Sequence, residues 1–381
     1  MNPLKTPETS RLFTAWRNPG NGVESLILRG QLAPVQQSFY YTTPSLTNDG
    51  RFLWLRCAFP PEGGMHAAQV LGVVDFERDE MRVFHETQFP TGGPLVDQLT
   101  DEVYWGNDLD IWKRGPRSAD RPVLVNRFPR ELAPGKVERI ATHLTFSADR
   151  KSLNIDAQFI DPKFRRHCFI GDMPLDGSPF RLWQRFDGVF HDHGLFSPTD
   201  PDVQMFAHEY WQDHIAEPFD GQAPYHRLWM IRRGQKAEPI LRNPVSHSGH
   251  EWWDSDGKNI WYVHYGVAVK KVNIETREEQ PLWNGALAHA HSDSSGQYLV
   301  ADMMDDPVVS DCHVAFRNLL TGKEVEIVNR PPLARHLTQC QHLHPHPQFC
   351  HNDRYICYTT TVHDRVDIAL VRTEDLIART K

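Results

Sequence analysis

The chain has 381 residues, 40% of them hydrophobic, and a formal net charge of −8 with acids and bases interspersed. That is enough apolar material for a sizeable core and is far from a disordered composition. No basic block occurs, which argues against nucleic acid as a partner, and no long apolar run occurs, which argues against a membrane span.

The first residues, "MNPLKTPETSRLFTAWRNPG", lack the apolar centre of a secretion signal. Cys57, Cys168, Cys312, Cys340, Cys350 and Cys357 are scattered and form no CxxC pair. The expectation is free thiols in a reducing cytoplasm. "ESLILRG" is the first candidate strand. Short β-rich runs follow, among them "RFLWLRCAF", "NIWYVHYGVAV" and "RYICYTTTV", broken by Gly, Pro, Asn and Asp. Helical periodicity is hard to find, so the chain is expected to be all-β.

A turn signal recurs along these runs. It reads "LTNDGRFLWL", "FSADRKSLNI", "FSPTDPDVQMF", "WDSDGKNIWYV", "SDSSGQYLVA" and "FCHNDRYICY", with a weaker copy, "QLTDEVYWG", near Asp101. The seven copies are spaced by roughly 40 to 57 residues, and most are followed by another strand pair. The expected fold is a seven-bladed β-propeller of four-stranded antiparallel blades. It should be a single domain over residues 1–381, its ring closed by an N-terminal strand for which "ESLILRG" is the candidate. The Pro-rich stretches "AFPPEGG" and "NRPPLARH" read as loops between blades.

Seven residues before the turn glycine or its equivalent stand Thr43, His143, His193, His250, His289 and His346. Only 21 of the 381 residues are histidine, so five at one register is not composition. In a propeller this register lies on the strand nearest the axis, so the five should form a ring. Repeats of the WD type also carry a blade histidine that bonds within its own blade, and that would account for any one of the five. It accounts neither for His344 nor for Gln341. Along an extended strand His344 and His346 face the same side, and Pro345 and Pro347 stiffen the segment. With His289 from the neighbouring blade they offer three imidazoles to one point. Imidazoles suit Mn, Fe, Ni, Cu or Zn; an added amide oxygen and water tilt the choice towards Mn²⁺.

"FAHEYW", "HRLWMI", "HEWW", "AHAHSDSSG" and "QHLHPHPQF" together resemble the oligogalacturonate lyase family, polysaccharide lyase family 22. The resemblance is strongest from about residue 190 onward, and the Gln-x-x-His-x-His cluster is its most specific part. It implies a divalent metal, usually Mn²⁺, held by Gln341, His344, His346 and His289. It implies His250 and Arg227 as catalytic residues and matches His208 to a further family histidine; His193, His208 and Gln37 are expected against a small acidic oligosaccharide. Gln37 stands where the family has a His-Arg-Asn segment, replaced here by "QQSFYY". The loops before His250 and before the His-x-His cluster are also shorter than in the family.

These residue types suit β-elimination. The C5 proton of a 4-linked uronide is poorly acidic beside a carboxylate; a metal dication relieves that charge and a neutral base takes the proton. His250 is the expected base, because arginine stays protonated in proteins, although a role shared with Arg227 is open. Glu209 and Glu251 are expected to orient histidines, and His143 and His342 to lie outside the chemistry. Competing readings are a lyase of a glucuronate–rhamnose linkage, a non-catalytic propeller scaffold, and a metal-dependent hydrolase. The hydrolase reading lacks a bridging carboxylate among the candidate ligands.

Overall fold

The recurring turn places one residue of most copies in left-handed backbone. φ is +74° at Gly50, +69° at Gly257 and +67° at Gly296, which glycine adopts without a Cβ clash. Arg150 and Asp353 hold the same place with φ of 57° and 63°, and Asp101 in the weak copy is left-handed too. Aspartates tighten these turns: Asp49 Oδ1 accepts from the Arg51 N–H at 2.9 Å, and Asp256 Oδ1 from the Lys258 N–H at 2.9 Å.

The structure, a computed structural model, describes residues 4–60, 68–89, 93–209, 225–303, 312–330 and 344–381. Its strands form seven antiparallel sheets, the blades of a propeller. β1 (Phe13–Arg17) and β2 (Glu24–Leu28) come first. Six four-stranded sheets follow in chain order. They begin at β3 (Val35–Gln37), β7 (Leu95–Val96), β11 (Lys136–Arg139), β15 (His191–Phe196), β19 (Ser248–Trp253) and β23 (Leu287–Ser292). The last sheet has five strands. β27 (Gln348–Cys350), β28 (Tyr355–Thr360) and β29 (Asp367–Arg372) are continued by β2 and β1. Leu26 and Ile27 of β2 pair with Leu370 and Ala369 of β29, so the two ends of the chain share one blade. A short helix, α1 (Thr373–Arg379), follows.

Each sheet is wedged against the next by a buried apolar cluster. Trp252, Trp261 and Trp283 meet Leu287, Leu299 and Ala301 between the fifth and sixth sheets of the chain order. Ile27, Ile356 and Ala369 meet Val300, Val314 and Phe316. Leu26, Cys357 and Leu370 meet Leu53, Leu55 and Val74. Burying such side chains contributes about 1.5–3 kcal/mol each. The first strands of neighbouring sheets touch, β15 against β19, β19 against β23 and β23 against β27. They put the histidine register on the axis. Among the described residues no helix is long and apolar enough to cross a membrane.

One local expectation fails. His344 and His346 do not sit on a strand: residues 344–347 are irregular and β27 begins at Gln348. Pro345 and Pro347 have no N–H to give a ladder, and His346 is left-handed with φ of 45°. The two histidines therefore do not meet through strand alternation.

Candidate active site

The axis is lined by imidazoles that the backbone turns inward. The pairing register shifts between Asp192 and Leu195 on β15, between Gly249 and Trp252 on β19, and between Leu287 and Ala290 on β23. Each shift falls at a register histidine, and a bulge of this kind re-aims a side chain. His193 and His250 take φ of 52° and 54°. Holding a non-glycine residue there costs on the order of 1–3 kcal/mol, strain typical of functional sites.

The five register histidines meet as a chain of rings. Centroids are 5.2 Å apart for His143–His193, 6.2 Å for His193–His250, 3.8 Å for His250–His289 and 4.3 Å for His289–His346. Tyr40 stands among them. It stacks on His143 at 4.1 Å and lies 4.8 Å from His346, 5.8 Å from His289, 5.9 Å from His193 and 6.3 Å from His250. The first blade thus fills the axis from Tyr40, not from Thr43 at the aligned register. β3 ends at Gln37, and the irregular segment after it carries Tyr40 inward.

His289, His344 and His346 can each offer a nitrogen such that the three lie within 4.8 Å of one another. Three imidazoles gathered in this way could hold one metal ion. Asp302, fully buried on β24 (Tyr298–Met303), braces the group. Its carboxylate accepts from the His289 N–H at 2.7 Å, approaches His289 Nδ1 at 3.0 Å, and accepts from the His346 N–H at 3.2 Å. A carboxylate on one ring nitrogen leaves the other, Nε2, as the ligand atom. Burial lowers the pKa of His344, and that of His289 well below its usual value, which keeps them in the neutral form a metal needs. Gln341 and His342 lie outside the described residues.

His250 is oriented by a carbonyl. Its Nδ1 is 2.6 Å from Ala288 O, which only accepts, so Nδ1 carries the proton and Nε2 the lone pair. The Tyr265 hydroxyl stands 2.8 Å from the same Nδ1. Burial, then His289 and His193, holds the His250 pKa well below the usual imidazole range.

A charged network lies beside these rings. Arg227 Nη1 meets Glu209 at 2.6 Å and its Nε meets Glu251 Oε1 at 2.6 Å, with all three side chains buried. Burial works against the Arg227 charge, but Glu209 and Glu251 hold its pKa well above the usual value, so Arg227 is a fixed cation. Glu251 Oε2 accepts from His193 Nδ1 at 3.0 Å. Of the two glutamates, Glu251 thus touches a histidine as expected, while Glu209 pairs with Arg227. Arg139 Nη2 pairs with Asp192 at 2.6 Å. Burial, then Glu209, pushes Asp192 up to about 7.

Two further candidates sit aside. His208, at the end of β16 (Val203–His208), packs against His191 at 4.9 Å and Tyr225 at 6.5 Å. Gln37 is buried on β3 opposite Arg56 of β4 (Phe52–Ala58). Tyr40, Tyr265 and Asp302 were not anticipated. Tyr40 lies in the "QQSFYY" departure itself, which was the available signal; Tyr265 and Asp302 have none in their spacing.

No protein-family model matches the chain. An oligogalacturonide lyase of Pectobacterium atrosepticum is 25% identical over 210 residues, covering 49% of this chain and 50% of that protein. An oligogalacturonate lyase of Dickeya dadantii is 24% identical over 214 residues, with the same coverage. The chain therefore spans about half the length of the curated relatives it matches. Among solved structures, an oligogalacturonate lyase in complex with manganese superposes with a TM-score of 0.73 at 18% identity, over 96% of this chain and 97% of that one. Over about half its length the chain is thus similar in sequence to oligogalacturonate lyases, and its propeller shares the fold of the manganese-bound one.

Proposed function

We propose that the protein is a metal-dependent lyase that cleaves oligogalacturonides derived from pectin by β-elimination, leaving a 4,5-unsaturated uronate. The observation that carries this reading is the convergence of His289, His344 and His346 within 4.8 Å, beside a His250 ring whose centroid is 3.8 Å from that of His289. A divalent ion, Mn²⁺ by preference, bound there with Gln341 as a further ligand would neutralise the uronate carboxylate and ease loss of the C5 proton.

The residues of the chain do the rest. His250 takes the C5 proton at Nε2, the C4–C5 double bond forms, and the C4–O4 bond breaks, the departing oxygen taking a proton from solvent. Ala288 O keeps the ring in the one tautomer that can act as base. Arg227 cannot be the base while two carboxylates hold its proton; its fixed guanidinium orients the uronate. His193, held by Glu251, borders the sugar, and His208 and Gln37 stand farther out.

The test is ultraviolet absorbance of the unsaturated product with di- and trigalacturonate, with and without chelator. A chelator-sensitive rise is expected, and its absence on every uronide tried would overturn the reading. Asp302→Asn is expected to weaken Mn²⁺ binding by about 10–100-fold, the range for a partner that orients a metal-bound histidine. Titration of metal into the apo-protein measures it; unchanged affinity would show that Asp302 does not set the orientation.

A further inference from the structure

Two polar groups beside the axis have no partner among the described residues that explains them. His143 is 5% exposed, and neither ring nitrogen has a hydrogen-bond partner among the described residues. One face of its ring is taken by Tyr40, stacked with an interplanar angle of 9°. Gly93 lies so close to Nδ1 that a Cβ there would stand 2.8 Å from it. Leaving a buried polar group unsatisfied costs about 1–3 kcal/mol, so an imidazole in this state is explained by something that binds it.

Arg56 is the second. It rises from β4 opposite Gln37, and its Nε donates to Ser38 O at 3.2 Å. Among the described residues its enclosed Nη2 has no hydrogen-bond partner, and no ion pair joins Arg56 to a carboxylate. The other two arginines by the axis differ: Arg139 has Asp192, and Arg227 has Glu209 and Glu251. A partly buried guanidinium without a counter-charge is costly, and burial pushes the Arg56 pKa down to about 10. Through Ser38, Arg56 is linked to the segment of the metal-ligand candidates. Ser38 Oγ is 3.5 Å from the carbonyl of Pro345, the residue between His344 and His346. The charge of Arg56 is felt at both Tyr40 and His143.

We propose that Arg56 and His143 form a second anion subsite that receives the carboxylate of the uronate next to the one being cleaved. A guanidinium edge and a neutral imidazole N–H are the donors a carboxylate takes. An oligouronide carries one carboxylate on every sugar, so a dimer held at the metal-ligand candidates brings a second carboxylate into the same shaft. This rests on the uronide-lyase reading, and it makes the chain selective for substrates with two adjacent acidic sugars.

The test uses the full chain loaded with Mn²⁺, with His250→Ala as background to prevent turnover. Calorimetric titrations compare galacturonate, with one carboxylate, and digalacturonate, with two. The background protein is expected to bind the dimer about 10- to 100-fold more tightly, the range for one charge-assisted pairing. Adding Arg56→Met should remove that advantage while galacturonate affinity and Mn²⁺ stoichiometry stay unchanged. His143→Phe keeps the stack on Tyr40, removes both nitrogens, and should lower dimer affinity selectively without touching Arg56. Equal binding of monomer and dimer by the background, or an undiminished dimer advantage in both variants, would overturn the subsite. The lyase reading fails separately: wild type that makes no unsaturated product, yet loses the dimer advantage on Arg56→Met, refutes the lyase and keeps the subsite.

Discussion

Chelating the divalent ion is expected to lower turnover on digalacturonate by about a thousandfold or more, and added Mn²⁺ to restore it. Charge neutralisation by a metal is worth several kcal/mol, and each ~1.4 kcal/mol is a factor of ten in rate. His289→Ala should do the same without chelator, and no added Mn²⁺ should fully restore it. The reason is geometric. His289 is the ligand candidate from β23, while His344 and His346 both come from the segment before β27. Removing His289 leaves two imidazoles from one irregular segment, and it strips Asp302 of the ring that its carboxylate orients. Metal analysis of the purified variant checks the first half and product absorbance the second. Full metal content in His289→Ala, or activity indifferent to chelator, would sink the assignment of these three histidines.

The same site shows what a sequence can and cannot reveal. The repeat was legible because its turn has a stereochemical demand: left-handed backbone selects glycine at Gly50, Gly257 and Gly296, and the copies at Arg150 and Asp353 keep the surrounding pattern. The histidine register was legible for a related reason. Equivalent positions in equivalent blades converge on one axis, so the sequence alone brings His143, His193, His250, His289 and His346 together. What failed was local. Reading His344 and His346 as strand neighbours ignored the missing N–H groups of Pro345 and Pro347. Thr43 held the register in the first blade, but that blade ends its inner strand early at Gln37 and sends in Tyr40. Asp302 was hidden because it acts from the second strand of its blade, across a spacing set by pairing geometry rather than by the repeat. Arg56 looked like one polar residue in an ordinary strand, "RFLWLRCAF". That no carboxylate among the described residues pairs with it is visible only when its neighbours are placed. The fifth strand of the last blade, β1, was likewise not anticipated, since "ESLILRG" alone was the candidate from that end of the chain.

His250→Ala is expected to cut turnover by about 10²–10⁴-fold, the usual contribution of one positioned base, with bound Mn²⁺ unchanged. Both halves follow from where the two ring nitrogens point. Nδ1 is committed to Ala288 O at 2.6 Å, so only Nε2 has a lone pair to offer. The ring is 3.8 Å from His289 by centroid, close enough that a base and a metal ligand are separated by one ring contact. The three ligand candidates, His289, His344 and His346, come together without it. Arg227 is the rival for the role, and its ion pairs with Glu209 and Glu251 argue against it: a proton must leave against two adjacent negative charges. Arg227→Lys keeps one charge but not the fork that holds both glutamates, so it should weaken substrate binding more than it slows the chemical step. Single-turnover rates and metal content, measured on both variants at saturating trigalacturonate, separate the roles. Loss of metal from His250→Ala would make His250 a ligand instead. Near-normal single-turnover rates in His250→Ala, with Arg227→Lys inactive, would transfer proton abstraction away from the imidazole altogether.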